Sequence, residues 1–304
     1  MPSAELTQFP LEEEYQKKTG ITPKDIAALR SWMDTQPHLP SKYITDLDLI
    51  LAYHSCNCST GVTKQVLDTH YTARTLFTNY FKDRHFDNRM KKVSETTLIS
   101  PLPMRTKEGY AILYTHFLDY DAKNFHYGDS LKTFIMIMDL WQYIEGTWPG
   151  FMIVIDLEGV TLGHVARLDL QNVQHIMYYL QEAMFVKLKG LHFKNAPSFM
   201  DKILMIIKPF MKKELMDMLG VHIPGSKTLE EVIPLDALPK ESGGKYKSRQ
   251  ECKEVVLEMI HAGEAYIKSE NQKRVTESLR SGKPKTISDI FGGVEGSFKK
   301  LDID

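Results

Sequence analysis

The sequence predicts an α/β protein in which a small all-helical segment precedes a mostly parallel sheet flanked by helices. The apolar run FMIVIDLEGV is nearly unbroken, which is typical of a strand buried on both faces of a parallel sheet. Segments with strand character alternate with helical segments on either side of it, and this alternation favours parallel strands joined by helices. Before residue 90, only helical periodicity is found.

Three helices are predicted in the N-terminal region. Thr22-Pro23-Lys24-Asp25 combines a capping residue, a proline at the first helical position and an acid three residues after the cap, and Thr45 opens a second helix. Apolar residues at helical spacing extend a third helix from Val62 to Phe81. The basic and polar stretch 82–95 interrupts this pattern, so we predict an N-terminal helical domain at residues 1–90.

The second domain, predicted at residues 91–245, contains an ordered set of strands and helices. We expect strands at YAILYTHF, FMIVIDLEGV and FVKLKGLHF, and helices at SLKTFIMIMDLWQYIEG, at 168–182 and at SFMDKILMIIKPFMKKELMDML. Pro209 should kink or split the last of these helices. Beyond Ser242-Gly243-Gly244, residues 246–304 should form a charged amphipathic helix at 249–277 and a tail rich in glycine and lysine.

Composition narrows the class of protein. Of the 304 residues, 42% are hydrophobic and 25% charged, which is normal for a globular chain, and the formal net charge of −1 predicts no nucleic-acid partner. No apolar run approaches the roughly 20 residues that cross a bilayer. The N-terminus carries acids where a signal peptide needs a basic start and an apolar stretch, so we expect a cytoplasmic protein.

The sequence contains no recognisable catalytic or metal-binding pattern. Asp156 and Glu158 stand two residues apart at a strand end, and we interpret them as structural carboxylates that bond loop amides. The histidines are scattered, and Cys56 and Cys58 lack the second pair that a zinc site needs, so we expect free thiols. We therefore predict that the protein is not an enzyme and holds neither a metal nor a cofactor.

The order of features in the second domain resembles the CRAL-TRIO family of lipid-binding proteins. The motifs are DLEG at Asp156–Gly159, a basic strand before NAP at Asn195–Pro197, IKPF at Ile207–Phe210 and LP…GG at Leu238–Gly244. They follow one another with family-like spacing over roughly half of the chain. The helices before residue 90 also resemble the helical domain that precedes the family's lipid-binding domain.

The resemblance implies a CRAL-TRIO lipid-binding domain, in which a sheet and its helices enclose a pocket for one lipid and a mobile helix closes it. Residues 199–219 would be that lid, since their methionines and Pro209 suit an adaptable, hinged segment. The implied function is an intracellular carrier that transfers one tocopherol-, carotenoid- or retinoid-like lipid to or from membranes. The alternative is a lipid-regulated adaptor or a phosphoinositide-binding trafficking module that acts through protein partners.

The same resemblance supplies candidate ligand-binding residues. Phe151, Ile153 and Ile155 also share one face of their strand by its two-residue period. The full set is Leu131, Phe134, Ile135 and Met138 on the wall helix; Phe151, Ile153 and Ile155; Leu180, Met184, Leu188 and Leu191; and Met200, Leu204, Ile207, Phe210 and Met211 from the lid. Phe134 and Met138 stand where tocopherol-binding members have small hydroxyl residues, so we expect a drier pocket of different shape.

Contact with anionic lipid is predicted at a few lysines. Lys187 and Lys189 occupy two positions of the basic cleft with which phosphoinositide-exchanging members bind phosphates, whereas the matching positions near the end of the lid are Glu214 and Met218. Lys208, Lys212 and Lys213 add a local basic run. We therefore expect weak phosphoinositide contact at most, with transient peripheral association with a membrane surface.

Overall fold

The computed structural model describes residues 6–292. Its helices are α1 (Leu11–Gln16), α2 (Pro23–Met33), α3 (Asp46–Ser55), α4 (Thr60–Leu76), α5 (Thr78–Phe81), α6 (Asn88–Thr96), α7 (Tyr127–Glu145), α8 (Leu162–Val165), α9 (Leu170–Tyr178), α10 (Met200–Ile207), α11 (Lys213–Asp217), α12 (Arg249–Ala262), α13 (Glu264–Glu270) and α14 (Ile287–Phe291). Its strands are β1 (Thr97–Pro101), β2 (Ala111–Phe117), β3 (Phe151–Asp156), β4 (Leu188–Lys194) and β5 (Leu219–Val221).

The predicted N-terminal helices begin where their capping signals stand. Thr22 and Asp25 form a reciprocal capping box at α2, and Thr45 and Asp48 form the same box at α3. The predicted third helix is divided at Phe77, whose ψ of 65° leaves the helical region, into α4 and α5. α2, α3 and α4 pack their apolar faces in a second core that also includes Phe185 and Val275, whereas Tyr80 and Phe81 of α5 belong to the larger core.

The polar stretch at 82–95, predicted as an interruption, contains a further helix. Asp87 caps α6 by accepting hydrogen bonds from the N–H groups of Arg89 and Met90. Met90 and Val93 are the buried residues of α6, while its other residues are polar. This narrow apolar stripe within a charged sequence explains why the helix was not anticipated.

The five strands form one mixed sheet in the order β1-β2-β3-β4-β5. β2, β3, β4 and β5 run parallel to one another, and β1 pairs antiparallel with β2. The mostly parallel sheet predicted from the sequence is therefore confirmed. The two edge strands β1 and β5 were not predicted, because each is short and neither has a clean two-residue apolar alternation.

The two faces of the sheet pack against different parts of the chain. Ile99, Leu113, Ile153, Leu191 and Phe193 belong to the larger core together with α7, α9 and α10. On the other face, Ile112, Met152 and Val154 pack under the segment around Leu229 to Leu238 and under Cys252 of α12. The sheet is thus buried on both sides, as its nearly continuous apolar strands predict.

The segment between β4 and β5 carries the predicted lid, residues 199–219, which we call the lid segment. Pro209 divides it, since α10 ends at Ile207, a tight turn follows at Lys208–Phe210, and α11 begins at Lys213. The predicted split at the proline is confirmed. Before this segment, α9 passes into a single wide turn of π-helix at Tyr179–Ala183.

The C-terminal part forms two helices where one was predicted at 249–277. α12 ends at Ala262, and Gly263 separates it from α13. A Cβ on Gly263 would lie 2.1 Å from Leu140 Cδ2 of α7, so glycine allows the close approach of α7. α13 then ends at Glu270. Of the predicted glycine- and lysine-rich tail, residues 293–304 lie outside the described part of the chain.

Candidate ligand-binding cavity

A cavity lies between the sheet and the helices on its α7 face. The volume of the cavity is about 190 Å³. Its floor is the carboxyl-terminal half of the strands, its walls are α7, α8 and α9, and Ile203 and Ile207 of α10 close one side. Ligand sites in parallel sheets favour this carboxyl end of the strands.

The lining of the cavity is almost entirely apolar. Aliphatic and aromatic side chains from several helices and strands face it, and the few polar lining residues are threonine, serine, tyrosine and histidine. Besides Ile203 and Ile207, the lining residues are Thr97, Ile99, Thr115, His116, Phe117, Phe125, Tyr127, Ser130, Leu131, Phe134, Ile153, Ile155, Leu157, Val160, His164, Val165, Leu168, Ile176, Met177, Leu180, Leu191 and Phe193. Such a surface suits an apolar ligand.

Part of the predicted ligand-binding set surrounds this cavity. The predicted residues that line it are Leu131, Phe134, Ile153, Ile155, Leu180, Leu191 and Ile207. Met138 lies one turn beyond Phe134, and with Ile135 and Met184 it borders a separate small polar void instead. Contact of Ile135, Met138 and Met184 with a ligand stays a prediction.

Two indole rings pack against Phe151, and neither Phe151 nor Leu188 is among the residues that line the cavity. The ring of Phe151 stacks on Trp148 at a centroid distance of 5.9 Å and meets Trp141 edge-on at 6.4 Å. Leu188 pairs with Phe151 in the sheet, at the same amino-terminal end. The cavity in this structure therefore ends before Phe151 and Leu188.

The predicted lid residues divide by burial. Met200 and Met211 are buried in the larger core, and Leu204 and Phe210 pack against it half-buried. Among the predicted residues of this segment, only Ile207 lines the cavity. Ile203, one turn before it, lines the cavity as well.

Sequence patterns contained the signal for several lining residues that the prediction missed. Phe193 follows Leu191 by the two-residue strand period, and Ile203 and Ile176 precede Ile207 and Leu180 by one helical turn. The aromatic residues Phe117 and Phe125 and the residues of α8 had no such signal. Only the folding of the loops after β2 and β3 brings them to the cavity.

The DLEG turn lies behind the floor of the cavity. Asp156 is fully buried and accepts hydrogen bonds from the Tyr114 hydroxyl (2.6 Å), Lys194 Nζ (2.8 Å) and Asn195 Nδ2 (2.7 Å). Burial alone would raise the pKa of Asp156, but the hydrogen bonds from Lys194 and Tyr114 outweigh it and hold the pKa below its ordinary value. The structural role predicted for this carboxylate agrees with these contacts.

His116, Asp156 and Glu158 are the group within residues 6–292 whose ligand atoms come close enough to hold a metal, within 4.8 Å of one another. Both carboxylates already form ion pairs within the protein, because Lys194 pairs with Asp156 and Arg249 Nη2 lies 2.7 Å from Glu158. The fit to a divalent cation is therefore poor. The cluster instead joins the ends of β2, β3 and β4 to α12.

Comparison with known families identifies both parts of the chain. Residues 95–244 match the CRAL/TRIO domain, and residues 19–90 match the Pinta-like UBA domain. The chain belongs to the CRAL-TRIO family. Its fold class is thus confirmed, with a CRAL-TRIO domain after a helical N-terminal domain.

Curated relatives of this CRAL-TRIO protein agree with that assignment. It is 23% identical over 233 residues to "Alpha-tocopherol transfer protein-like" of Mus musculus, covering 76% of this chain and 68% of the relative. The Homo sapiens protein of the same name is 22% identical over the same shares. "Clavesin-1" of Xenopus laevis is 22% identical over 223 residues, covering 73% of this chain and 67% of the relative.

One solved structure is similar along most of the CRAL-TRIO chain. It is described as "Crystal structure of Sfh5", has a TM-score of 0.45 and 13% sequence identity, and is matched over 98% of this chain and 90% of its own. Within residues 6–292, no helix is both long and apolar enough to cross a membrane.

The five lysines predicted to meet anionic lipid fall into two groups in the CRAL-TRIO domain. Lys187 and Lys189 stand at the amino end of β4, where burial lowers the pKa of the half-buried Lys187. Lys208, Lys212 and Lys213 are exposed on the lid segment. Lys212 forms an ion pair with Glu182.

Large apolar side chains are exposed on the lid segment and shortly after it. Met205 of α10 is 69% exposed, and Ile223, just after β5, is 66% exposed. Met216 and Val221 are exposed as well. The lid segment thus carries the exposed apolar side chains of Met205 and Met216 together with the three exposed lysines.

Proposed function

We propose that this protein carries one small hydrophobic lipid in the cavity and exchanges it with membranes. The observation that carries the proposal is the almost wholly apolar cavity between the sheet and α10. An apolar ligand that fills this cavity gains dispersion contacts with the side chains that line it. Tocopherol-, carotenoid- and retinoid-like lipids are the ligand classes we propose.

Burial of the lipid supplies the binding free energy. Each buried methylene contributes about 0.8 kcal/mol, so a ligand with about fifteen such groups gains on the order of 12 kcal/mol before the costs of binding are subtracted. Losses of translational freedom and of side-chain entropy reduce this to micromolar or nanomolar affinity. No catalytic group is required, and we propose that the protein is not an enzyme.

Release requires part of the wall to move, and the lid segment has the features for it. Ile203 and Ile207 line the cavity on one face of α10, while Met205 is exposed on another. Gln181 holds the turn after Pro209 in place, donating to Phe210 O (2.9 Å) and accepting from Lys212 N–H (2.7 Å). A membrane surface that buries Met205 and attracts the lysines would favour an open lid segment over this closed one.

We propose a cytoplasmic location with peripheral and transient membrane contact. The lid lysines supply about 1 kcal/mol each toward an anionic surface, and this attraction weakens as salt is added. Phosphoinositide contact through Lys187 and Lys189 would be weak, since Glu214 and Met218 stand at the other two positions.

The proposal is tested by Phe134→Asp, because Phe134 is 7% exposed and lines the cavity. An unpaired carboxylate beside an apolar ligand costs several kcal/mol, so lipid transfer between vesicles should fall at least tenfold. Phe134→Met keeps an apolar side chain and should transfer lipid at nearly the wild-type rate. Circular dichroism establishes that both variants are folded.

A folded Phe134→Asp protein with the wild-type transfer rate would contradict the proposal. The alternative, a lipid-regulated adaptor, is distinguished in the same assay. A wild-type protein that retains lipid but does not move it between vesicles would be the adaptor and not the carrier.

A further inference from the structure

Within residues 6–292, several polar side chains that line the apolar cavity have an atom without a hydrogen-bond partner, among them Thr97 Oγ1, the ring nitrogens of His116 and Nε2 of His164. Two of the polar lining residues, Tyr127, the first residue of α7, and His164 of α8, lie on either side of Phe125 at one end of the cavity. Buried polar groups are normally paired, because an unpaired one costs about 1–3 kcal/mol. Unpaired groups beside an internal space are therefore candidates for contact with a ligand.

The hydrogen-bond pattern fixes the tautomer of His164. Its Nδ1 accepts from the backbone N–H of Thr161 at 3.2 Å, so Nδ1 carries no proton. Burial lowers the pKa of His164, which keeps the ring neutral at neutral pH. The proton must then be on Nε2, which is a donor without a partner among residues 6–292 in a side chain that is 2% exposed.

Tyr127 offers a second donor. Its hydroxyl makes no hydrogen bond to any residue between 6 and 292. Burial raises the pKa of Tyr127 well above its ordinary value. Part of the side chain remains accessible. Tyr127 lines the cavity, so its unpaired hydroxyl is a second candidate for contact with a ligand there.

Aromatic contacts bring the two donors to the same end of the cavity. The ring of Phe125 lies 6.2 Å from that of Tyr127 and 5.8 Å from that of His164, measured between centroids. Phe117 packs edge-on against both Phe125 (5.0 Å) and His164 (4.8 Å). The two polar groups thus flank a pair of phenylalanines that line the cavity.

We propose that this end of the cavity binds an oxygen atom of the lipid, with His164 Nε2–H and the Tyr127 hydroxyl as its hydrogen-bond donors. The inference rests on the proposed carrier function and narrows its ligand class. His164 Nε2–H donates and cannot accept, so the matching group is a carbonyl or hydroxyl oxygen at one end of an otherwise apolar molecule. A pure hydrocarbon would leave both donors unpaired and would bind less tightly.

The test uses two tritiated lipids of equal carbon number that differ in one carbonyl group, methyl pentadecyl ketone and n-heptadecane, with the full-length protein. Affinity for each lipid is measured for the wild type, Tyr127→Phe and His164→Phe. We expect the ratio of ketone affinity to alkane affinity to fall about 3- to 10-fold in each variant, as loss of one hydrogen bond predicts. Affinity for the alkane should not fall.

Tyr178→Phe is the matched control, because Tyr178 packs against Phe77 and Phe291 and does not line the cavity. It should leave the ratio unchanged. If His164→Phe does not fold, because the ring also bonds Thr161, the isosteric Tyr127→Phe decides the test alone. An unchanged ratio in folded Tyr127→Phe would overturn the inference. A wild type that retains neither lipid would overturn the proposed carrier function as well.

Discussion

At the scale of the residue, Asp156 fixes the carboxyl ends of three parallel strands beneath the cavity. Its partners Tyr114 and Lys194 come from β2 and β4, and the Tyr114 hydroxyl also lies 2.7 Å from Ser242 Oγ. Removing one partner of such a buried cluster leaves the others desolvated and unpaired. The loops that line the cavity start from these strand ends.

The pH dependence of stability follows from this carboxylate. Because hydrogen bonds from Lys194 and Tyr114 hold the pKa of Asp156 below its ordinary value despite burial, its stabilisation is complete above the unfolded pKa of about 4 and is lost as the pH falls through the folded pKa. Asp156→Asn should lower the free energy of unfolding by about 3–5 kcal/mol at neutral pH, measured with urea. The difference from wild type should shrink on acidification below about pH 4.

Asp236→Asn is the control for that measurement. Asp236 pairs with Lys245 at 3.0 Å, but both side chains are exposed, so its removal should cost less than about 1 kcal/mol. If Asp156→Asn lowered the free energy of unfolding by the same amount from neutral to strongly acidic pH, the stabilisation would not come from the ionised Asp156 carboxylate.

Gly159 sets the geometry of the loop that follows Asp156. Its φ is +78°, and a Cβ here would lie 2.4 Å from the ring of Tyr120. Gly225 has nearly the same φ of +79°, but a Cβ there would have no neighbouring atom within 4 Å. Gly225→Ala should therefore lower the free energy of unfolding by about 1 kcal/mol through backbone strain alone, whereas Gly159→Ala should lower it clearly more. Equal losses of thermal stability in the two variants would show that Tyr120 moves aside freely.

At the scale of the element, the period of a strand indicates which of its residues share a face but not where a cavity ends. The two-residue period of β3 puts Ile153 and Ile155 on one face, and both line the cavity together with Leu131 and Phe134 of α7, which the family resemblance supplied. Periodicity says which face a residue takes but not where a cavity stops along that face. Here the end of the cavity depends on the packing of Trp148 against Phe151, and Trp148 comes from a turn without a repeating pattern.

Membrane contact is predicted at the lid segment through Met205. Met205→Asp should reduce binding to anionic vesicles and slow lipid transfer without lowering thermal stability, because the side chain is 69% exposed. Met104→Asp is the matched control, since Met104 is 44% exposed beyond β1 at the opposite edge of the sheet. Equal vesicle binding by the two variants would remove α10 from the membrane interface.

At the scale of the whole molecule, the C-terminal segment forms ion pairs with the N-terminal helices. Lys273 is buried and its Nζ lies 2.6 Å from Asp48 of α3. Asp68 of α4 accepts from Arg280 (2.6 Å) and lies 2.9 Å from His38. The contacts of Lys273 and Arg280 join residues about two hundred positions apart in sequence, and so no local pattern could have predicted them.

The family and its order of elements were predictable from ordered motifs, whereas the polar end of the cavity was not. Tyr127 and His164 stand in sequences without any catalytic or binding signature. The role proposed for them rests on their place in the cavity and, for His164 Nε2, on the lack of a hydrogen-bond partner among residues 6–292, which are properties of the folded structure alone.

The central claim is that this protein holds one small lipid in its cavity. The most direct measurement is organic extraction of the purified full-length protein followed by mass spectrometry, with the folded Phe134→Asp variant extracted in parallel. We predict one apolar lipid bearing a carbonyl or hydroxyl oxygen, near one molecule per wild-type chain and strongly depleted in the variant. Lipid at equal amounts in both proteins, or none in a wild type that also binds no added lipid, would contradict the claim.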